Sequence, residues 1–289
     1  MFQLGRNDLL PLIEFADFSF KYLGADSLAL RKVSLTVEED EYIVVTGPSG
    51  CGKTTLCRAI NGLVPHFHRG YIAGNVYVDG INTRESTVAQ LAPHAGLVFQ
   101  NPTNQLVTLN VEKEIAFGPE NLGVEPSEIR RRVEHFIDLL ELESLREKHP
   151  HEMSGGEQQR VAMAATLALQ PRVLVADEPT SNLDPKSAEK ILGILAEFNR
   201  KGMTIVLVEH RLDLIAKDAS RVILMDNGQI VADGNPREML SSSVCAELGI
   251  GIPKATQIYM KLEKRGLKLG RVPLTGEELS DLVEEASCS

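Results

Sequence analysis

The sequence predicts an α/β fold with a mostly parallel core sheet, an antiparallel β subdomain, a helical subdomain and a small C-terminal helical appendage. Three observations predict it. The apolar run Tyr42-Ile43-Val44-Val45-Thr46 leads into a glycine-rich loop and then a helical pattern from Lys53 to Asn61, the opening of a nucleotide-binding α/β unit. Gly96 to Phe99, Val173 to Asp177, Thr204 to Val208 and Arg221 to Met225 read as further buried strands, several of them separated by helical patterns, which implies parallel neighbours. Ile13 to Tyr22 and Leu28 to Val37 alternate apolar and polar side chains, the pattern of half-buried antiparallel strands.

The remaining elements follow in order. From Asn110 to Leu145 the chain reads almost wholly helical, with Glu112, Glu114, Arg130 to Arg132 and Glu134 expected on solvated faces. This is a helical subdomain, about 101–168, inserted into the α/β core. After Gly234 the strand pattern stops, and short helices broken by Gly249, Gly251, Pro253, Gly266, Gly270 and Pro273 follow. The expected division is therefore 1–234 for the nucleotide-binding domain and 235–289 for the appendage.

Composition narrows the function classes. The chain has 289 residues and 43% hydrophobic residues, ample for a full core. A formal net charge of -10 argues against nucleic acid as the main partner, because phosphate backbones require a basic field. No apolar run is long enough to span a bilayer, and Met1 to Leu10 carries Arg6, Asn7 and Asp8 instead of a signal-peptide core. These readings place the chain in the cytoplasm, where it remains free to dock on a membrane protein. Cys51, Cys57, Cys245 and Cys288 form neither a CxxC pair nor zinc spacing. The pairs His66/His68 and His149/His151 lack a third ligand at sensible spacing and read as loop histidines.

Chemistry concentrates in a few segments. Gly47-Pro48-Ser49-Gly50-Cys51-Gly52-Lys53-Thr54 matches the P-loop pattern. Its glycines let successive N–H groups face one centre, and the helix that begins there, with Thr55 in its first turn, adds a positive end. Lys53 is expected on the β- and γ-phosphates, and the Thr54 hydroxyl on Mg2+. Val173 to Glu178 is an apolar strand delivering two carboxylates at its C-terminal end: Asp177 to hold Mg2+, Glu178 to polarise the attacking water. Ser154 is positioned as the N-cap of a helix running to about Leu169, and Gly155-Gly156 leaves its first N–H groups bare toward an anion. Cys51, inside the phosphate loop at a helix start, is expected to have a lowered thiol pKa and to be alkylated unless ATP is bound.

The segment Met153-Ser154-Gly155-Gly156-Glu157-Gln158-Gln159-Arg160, just upstream of the Val173 strand, resembles the signature of the ABC ATPase family. The resemblance covers the chain from about Ile13 and implies an ATP-hydrolysing subunit that works as a dimer with ATP and Mg2+. It implies that Ser154 to Glu157 cap the γ-phosphate bound by the other subunit and that Tyr22 stacks on adenine. It makes Gln100 the residue that senses Mg2+ and links to the helical subdomain. Ser181-Asn182-Leu183-Asp184 resembles the loop that crosses the dimer interface, and His210 the histidine that contacts the γ-phosphate. Glu209 departs from the family's small hydroxyl residue and is expected to add a second carboxylate near the phosphates.

Gln100 to Gln105, Ala116 to Gly123, Pro65-His66-Phe67 and the tail around Ile252-Pro253-Lys254 and Pro273-Leu274-Thr275 resemble the energy-coupling factor (ECF) branch. That branch imports vitamins or transition-metal ions. The resemblance implies a transmembrane coupling protein and a small substrate-binding membrane protein as partners, and a peripheral place on the cytoplasmic face of the membrane. It makes the tail a dimerisation domain, and leaves homodimer and heterodimer both open. A conventional ABC importer ATPase and, further off, a soluble ABC machine are the rival readings.

Overall fold

The computed structural model describes residues 10–287; Met1 to Leu9 and Cys288, on which two of the readings above rest, lie outside the described residues. Two sheets carry the fold. The first pairs β1 (Ile13–Tyr22), β2 (Leu30–Val37), β4 (Gly70–Val78) and β5 (Ile81–Asn82) antiparallel in the order β2-β1-β4-β5. The second orders β10-β9-β3-β8-β7-β6, where β3 is Tyr42–Thr46, β6 Ala95–Val98, β7 Val173–Asp177, β8 Thr204–Val208, β9 Arg221–Asp226 and β10 Gln229–Gly234. β9, β3, β8, β7 and β6 run parallel, and β10 closes one edge as an antiparallel hairpin with β9.

The period of two along each strand divides the core between two layers. Ile43, Val45, Val175, Val206, Val208 and Ile223 face the antiparallel sheet and α1 (Lys53–Ile60). Tyr42, Val44, Leu174, Ala176, Leu207 and Leu224 face the helical side. Because both faces are covered, these strands read as continuous apolar runs rather than alternations. Each Val, Leu or Ile among them contributes roughly 1.5–3 kcal/mol on removal from water.

α2 (Leu63–His66) follows α1, and α3 (Val88–Leu91) precedes β6. The helical subdomain comprises α4 (Val111–Asn121), α5 (Pro126–Leu139) and α6 (Gly155–Ala168). Ile115, Val133, Phe136, Val161 and Leu167 bury one face of each against the others and against the sheet. Glu114, expected on a solvated face, is instead buried: its carboxylate accepts the Val107 and Thr108 N–H groups and ties the preceding loop to α4. α7 (Pro185–Arg200) and α8 (Leu212–Ile215) flank β8. The tail folds as α9 (Pro236–Ser241), α10 (Ser243–Glu247), α11 (Lys254–Lys264) and α12 (Gly276–Ser287). Its Leu240, Cys245 and Leu274 join the helical-side core, and Arg237 forms a bidentate pair with Glu278.

Two hairpins escaped the sequence reading. Asp79-Gly80 joins β4 to β5 and Asn227-Gly228 joins β9 to β10, each pair with positive φ at both residues. That is the signature of a two-residue turn matching the right-handed strand twist. β4 lacks clean alternation because Gly74 sits at a bulge opposite β1, between the Asn75–Ala16 and Ala73–Ser19 pairs.

Candidate nucleotide site

The site lies at the C-terminal ends of β3, β7 and β8, where parallel sheets place ligands. After Thr46 the chain turns through residues 47–52 before α1 begins. Two glycines are obligatory. A Cβ on Gly47 would lie 2.1 Å from the Met225 carbonyl oxygen, and one on Gly52 2.5 Å from that of Ala29. Gly52 caps α1 with φ 112°, a conformation that other residues rarely adopt. Lys53 is buried, and its Nζ donates to the carbonyls of Gly47 (2.8 Å) and Pro48 (2.9 Å), so the ammonium is held within the loop.

Asp177 is the last residue of β7 and is only 4% exposed. Burial raises its carboxyl above the usual range and the neighbouring Glu178 charge adds to this, while a hydrogen bond from the Thr54 side chain opposes both. Its Oδ1 has no hydrogen-bond partner. A buried carboxylate oxygen without a partner, beside the first hydroxyl of α1, is the donor set that a hard cation such as Mg2+ requires. Thr54 and Asp177 thus fit the ion, which in such a site would neutralise phosphate charge.

Glu178 is gripped from two sides. Gln100 Nε2 donates to its Oε2 at 2.8 Å, and His210 Nε2 lies 3.1 Å from its Oε1. Residues 78 and 32 positions away thus meet on one carboxylate. Glu178 has φ 48°, the left-handed region, a strain typical of functional positions.

The segment from Ser154 behaves as a helix start. Ser154 Oγ accepts the Glu157 N–H, and the Glu157 carboxylate accepts the Ser154 N–H at 2.7 Å, a reciprocal cap. The Ser154 N–H holds the Glu157 carboxyl below its usual range. Gly155 and Gly156 lie against Asn182 and Leu183, where a Cβ on Gly156 would meet Leu183 Cδ2 at 3.1 Å. Asn182 in turn donates to the Gln100 carbonyl at 3.4 Å. Asp184 is the N-cap of α7, accepting from Lys186 N and Ser187 N.

Tyr22 ends β1 beside α1. Its hydroxyl lies 3.1 Å from Thr55 Oγ1 and accepts from Arg58 Nη1 at 3.2 Å. Its ring meets Phe20 and His68 edge-on. Pro48, Ser49 and Gly50 form the outer part of the phosphate loop, with Ser49 and Gly50 exposed.

Two expectations are corrected. Glu209 does not add a carboxylate to the phosphate site: it is 3% exposed and turned inward, accepting from Thr180 Oγ1 (2.8 Å) and the N–H groups of His210 and Arg211 (3.1 Å each). It shapes the turn that presents His210. Alternation accounts for this, since Val208 faces one layer and the next residue falls toward the other. Cys51 is buried, and burial pushes its thiol up despite the opposing Lys53 charge. A buried, protonated thiol is a poor nucleophile, so the expected ATP-protected alkylation is withdrawn. Among the described residues no cluster of three or more His, Cys, Asp or Glu is placed to hold a metal, and no helix is long and apolar enough to cross a membrane.

The family profile for ABC transporters matches residues 30–181. An ABC transporter ATP-binding protein of Pyrococcus abyssi is 44% identical over 272 residues, which is 93% of this chain and 97% of that one. The energy-coupling factor transporter ATP-binding protein EcfA1 of Clostridium perfringens is 38% identical over 275 residues, 93% of this chain and 96% of the relative. The solved structure of cbiO1 from Clostridium perfringens, described as part of the ABC transporter complex cbiONQ, superposes with a TM-score of 0.70. It is 27% identical and covers 89% of this chain and 98% of its own. The matched profile spans the phosphate loop, the signature segment and the paired carboxylates. With the buried, partnerless Asp177 oxygen beside Thr54, it leads to one conclusion: the chain belongs to the ABC transporter family, as an ATP-hydrolysing subunit that uses ATP and Mg2+.

Proposed function

We propose that the chain powers an ECF-type importer of vitamins or transition-metal ions through a separate transmembrane coupling protein and a small substrate-binding membrane protein. The observation that carries this reading is the likeness to EcfA1. An alignment over 275 residues extends beyond the first 234 and so takes in part of the tail. In this reading the chain sits on the cytoplasmic face of the membrane, residues 1–234 hydrolyse ATP, about 101–168 receive the membrane partner, and 235–289 help two ATPase subunits pair.

Two subunits, alike or related, close on two ATP molecules. The N–H groups of residues 49–52 and the Lys53 ammonium hold the β- and γ-phosphates of one ATP, with Thr55 beside them and Tyr22 against adenine. Thr54, Asp177 and Gln100 hold Mg2+. Ser154, Gly155, Gly156 and Glu157 of the other subunit present a helix N-terminus to the γ-phosphate. Glu178 orients and polarises the attacking water, and His210 contacts the γ-phosphate while fixing the Glu178 carboxylate. Asp184 holds the loop that crosses the interface. Closure excludes bulk water, and product release reopens the pair, so hydrolysis is read out as motion.

The test is affinity capture from detergent-solubilised membranes of the native host. Recovery of a multi-span scaffold with a small substrate-binding membrane protein supports this reading. Recovery of a conventional permease pair replaces the ECF assignment with an ordinary ABC importer.

A further inference from the structure

The segment that carries Gln100 is held by two glutamine side chains that the reaction scheme above does not use. Phe99, the residue before Gln100, has both of its backbone polar atoms claimed. Its N–H donates to Gln105 Oε1 at 3.0 Å, and its carbonyl accepts from Gln159 Nε2 at 3.2 Å. Gln159 lies on α6, the helix that Ser154 caps, and is 1% exposed. Gln105 also reaches that helix, donating at 2.8 Å to Thr166 Oγ1, as well as to the Leu97 carbonyl at 3.2 Å. Thr166 is anchored in turn on the Ala162 carbonyl.

We propose that Gln159 and Gln105 are positioning residues that clamp the Phe99–Gln100 peptide to α6, so that the pose of Gln100 at Glu178 and the pose of Ser154 at the opposite site change together. The two glutamines differ in a way that fits a moving part. Gln105 uses both its oxygen and its nitrogen. Gln159 is held in one orientation by the Phe99 carbonyl, which requires its NH2 there, and its Oε1 is left buried without a partner. A half-satisfied buried amide is costly to keep, and a core position on α6 filled by Leu or Met would avoid that cost. The device gives the chain a direct connection between the group that faces its own nucleotide and the helix start that faces its partner's. Rotation of the helical subdomain cannot leave the Phe99 carbonyl behind without breaking the Gln159 bond.

The inference rests on the assignment of Gln100 to the ATP site, and its test separates the two. Gln159→Met keeps the length of the side chain and removes the donor. In the purified full-length protein, amide hydrogen exchange across Leu97 to Gln105 should rise about tenfold, with α7 unchanged as a control for global unfolding. In steady-state ATPase assays, Gln159→Met should lower kcat about five- to tenfold with KM for ATP within about twofold, and Gln100→Ala/Gln159→Met should be no slower than Gln100→Ala. Unchanged exchange in Gln159→Met overturns the clamp. Raised exchange with losses that add in the double variant overturns its action through Gln100. Wild-type turnover in Gln100→Ala would remove the catalytic assignment of Gln100, while the exchange result still decides whether the clamp exists.

Discussion

The two ends of the six-stranded sheet handle charge in opposite ways. At the N-terminal edge, Arg172 pairs with Asp79 and Glu39, and His94 Nδ1 lies 2.8 Å from Asp79. These groups precede β7, β3 and β6 or end β4, and every one has a partner. Arg172 is 47% exposed and Glu39 60%. At the C-terminal edge, Asp177 and Lys53 are almost fully buried, one Asp177 oxygen is unpartnered, and Glu178 is strained. The first edge fastens the antiparallel sheet to the core with solvated pairs of small individual worth. The second keeps charged groups buried and one carboxylate oxygen unpaired, at a cost in stability. A buried carboxylate oxygen left unpaired, rather than charge density, sets this edge apart from the other.

The strongest way to break this comparison is Glu178→Gln. Phosphate release should fall about 10²–10⁴-fold with ATP still bound, since a positioned general base contributes on that order. Turnover close to wild type would remove Glu178 from its role. Lys53→Ala comes next: charge-assisted hydrogen bonds contribute about 1.5–3 kcal/mol, so ATP affinity in a fluorescence titration should drop roughly 10- to 100-fold.

Asp177→Asn sharpens the contrast because it should raise stability while abolishing Mg2+-dependent hydrolysis. Burial raises the Asp177 carboxyl above its ordinary pKa of 3.8, so its charged form is disfavoured in the fold and its contribution worsens as pH rises through that range. At neutral pH the nucleotide-free variant should melt a few degrees higher, a gain of about 1 kcal/mol. A lower melting temperature would place Asp177 with the structural pairs instead. At the opposite edge, Arg172→Ala should cost only about 0.5–1 kcal/mol in denaturant titration and leave ATP turnover unchanged. Its hydrogen bond to Asp79, with that of His94, outweighs partial burial and holds the Asp79 carboxyl below its usual range. That contribution is therefore present above about pH 4 and fades in acid, and Arg172→Ala should flatten the acid limb of the stability profile.

Much of the fold is legible because buried strands and the phosphate loop are locally encoded. Tyr42 to Thr46, Val173 to Asp177 and Thr204 to Val208 are strands by composition alone, and their read boundaries agree with the structure. Ser154 and Glu157 announce a helix start by their spacing of three. The hairpins at Asp79-Gly80 and Asn227-Gly228 were also written locally, in the aspartate–glycine and asparagine–glycine pairs. β4 and β10 carry few or no buried residues, so neither strand stands out as an apolar run beside its turn.

The sequence by itself determined the residue types of the nucleotide site and the order in which the chain visits them. Phosphate binding and hydrolysis demand those types at fixed local spacing. Only the tertiary structure decided where the side chains point. Glu209 turns to Thr180 and away from the phosphates, Cys51 is sealed from solvent, Glu114 is drawn inward by two backbone N–H groups, and Gln159 reaches across 60 residues to the Phe99 carbonyl. Direction and burial are set by what packs opposite, and those partners lie in distant parts of the chain that no local pattern specifies.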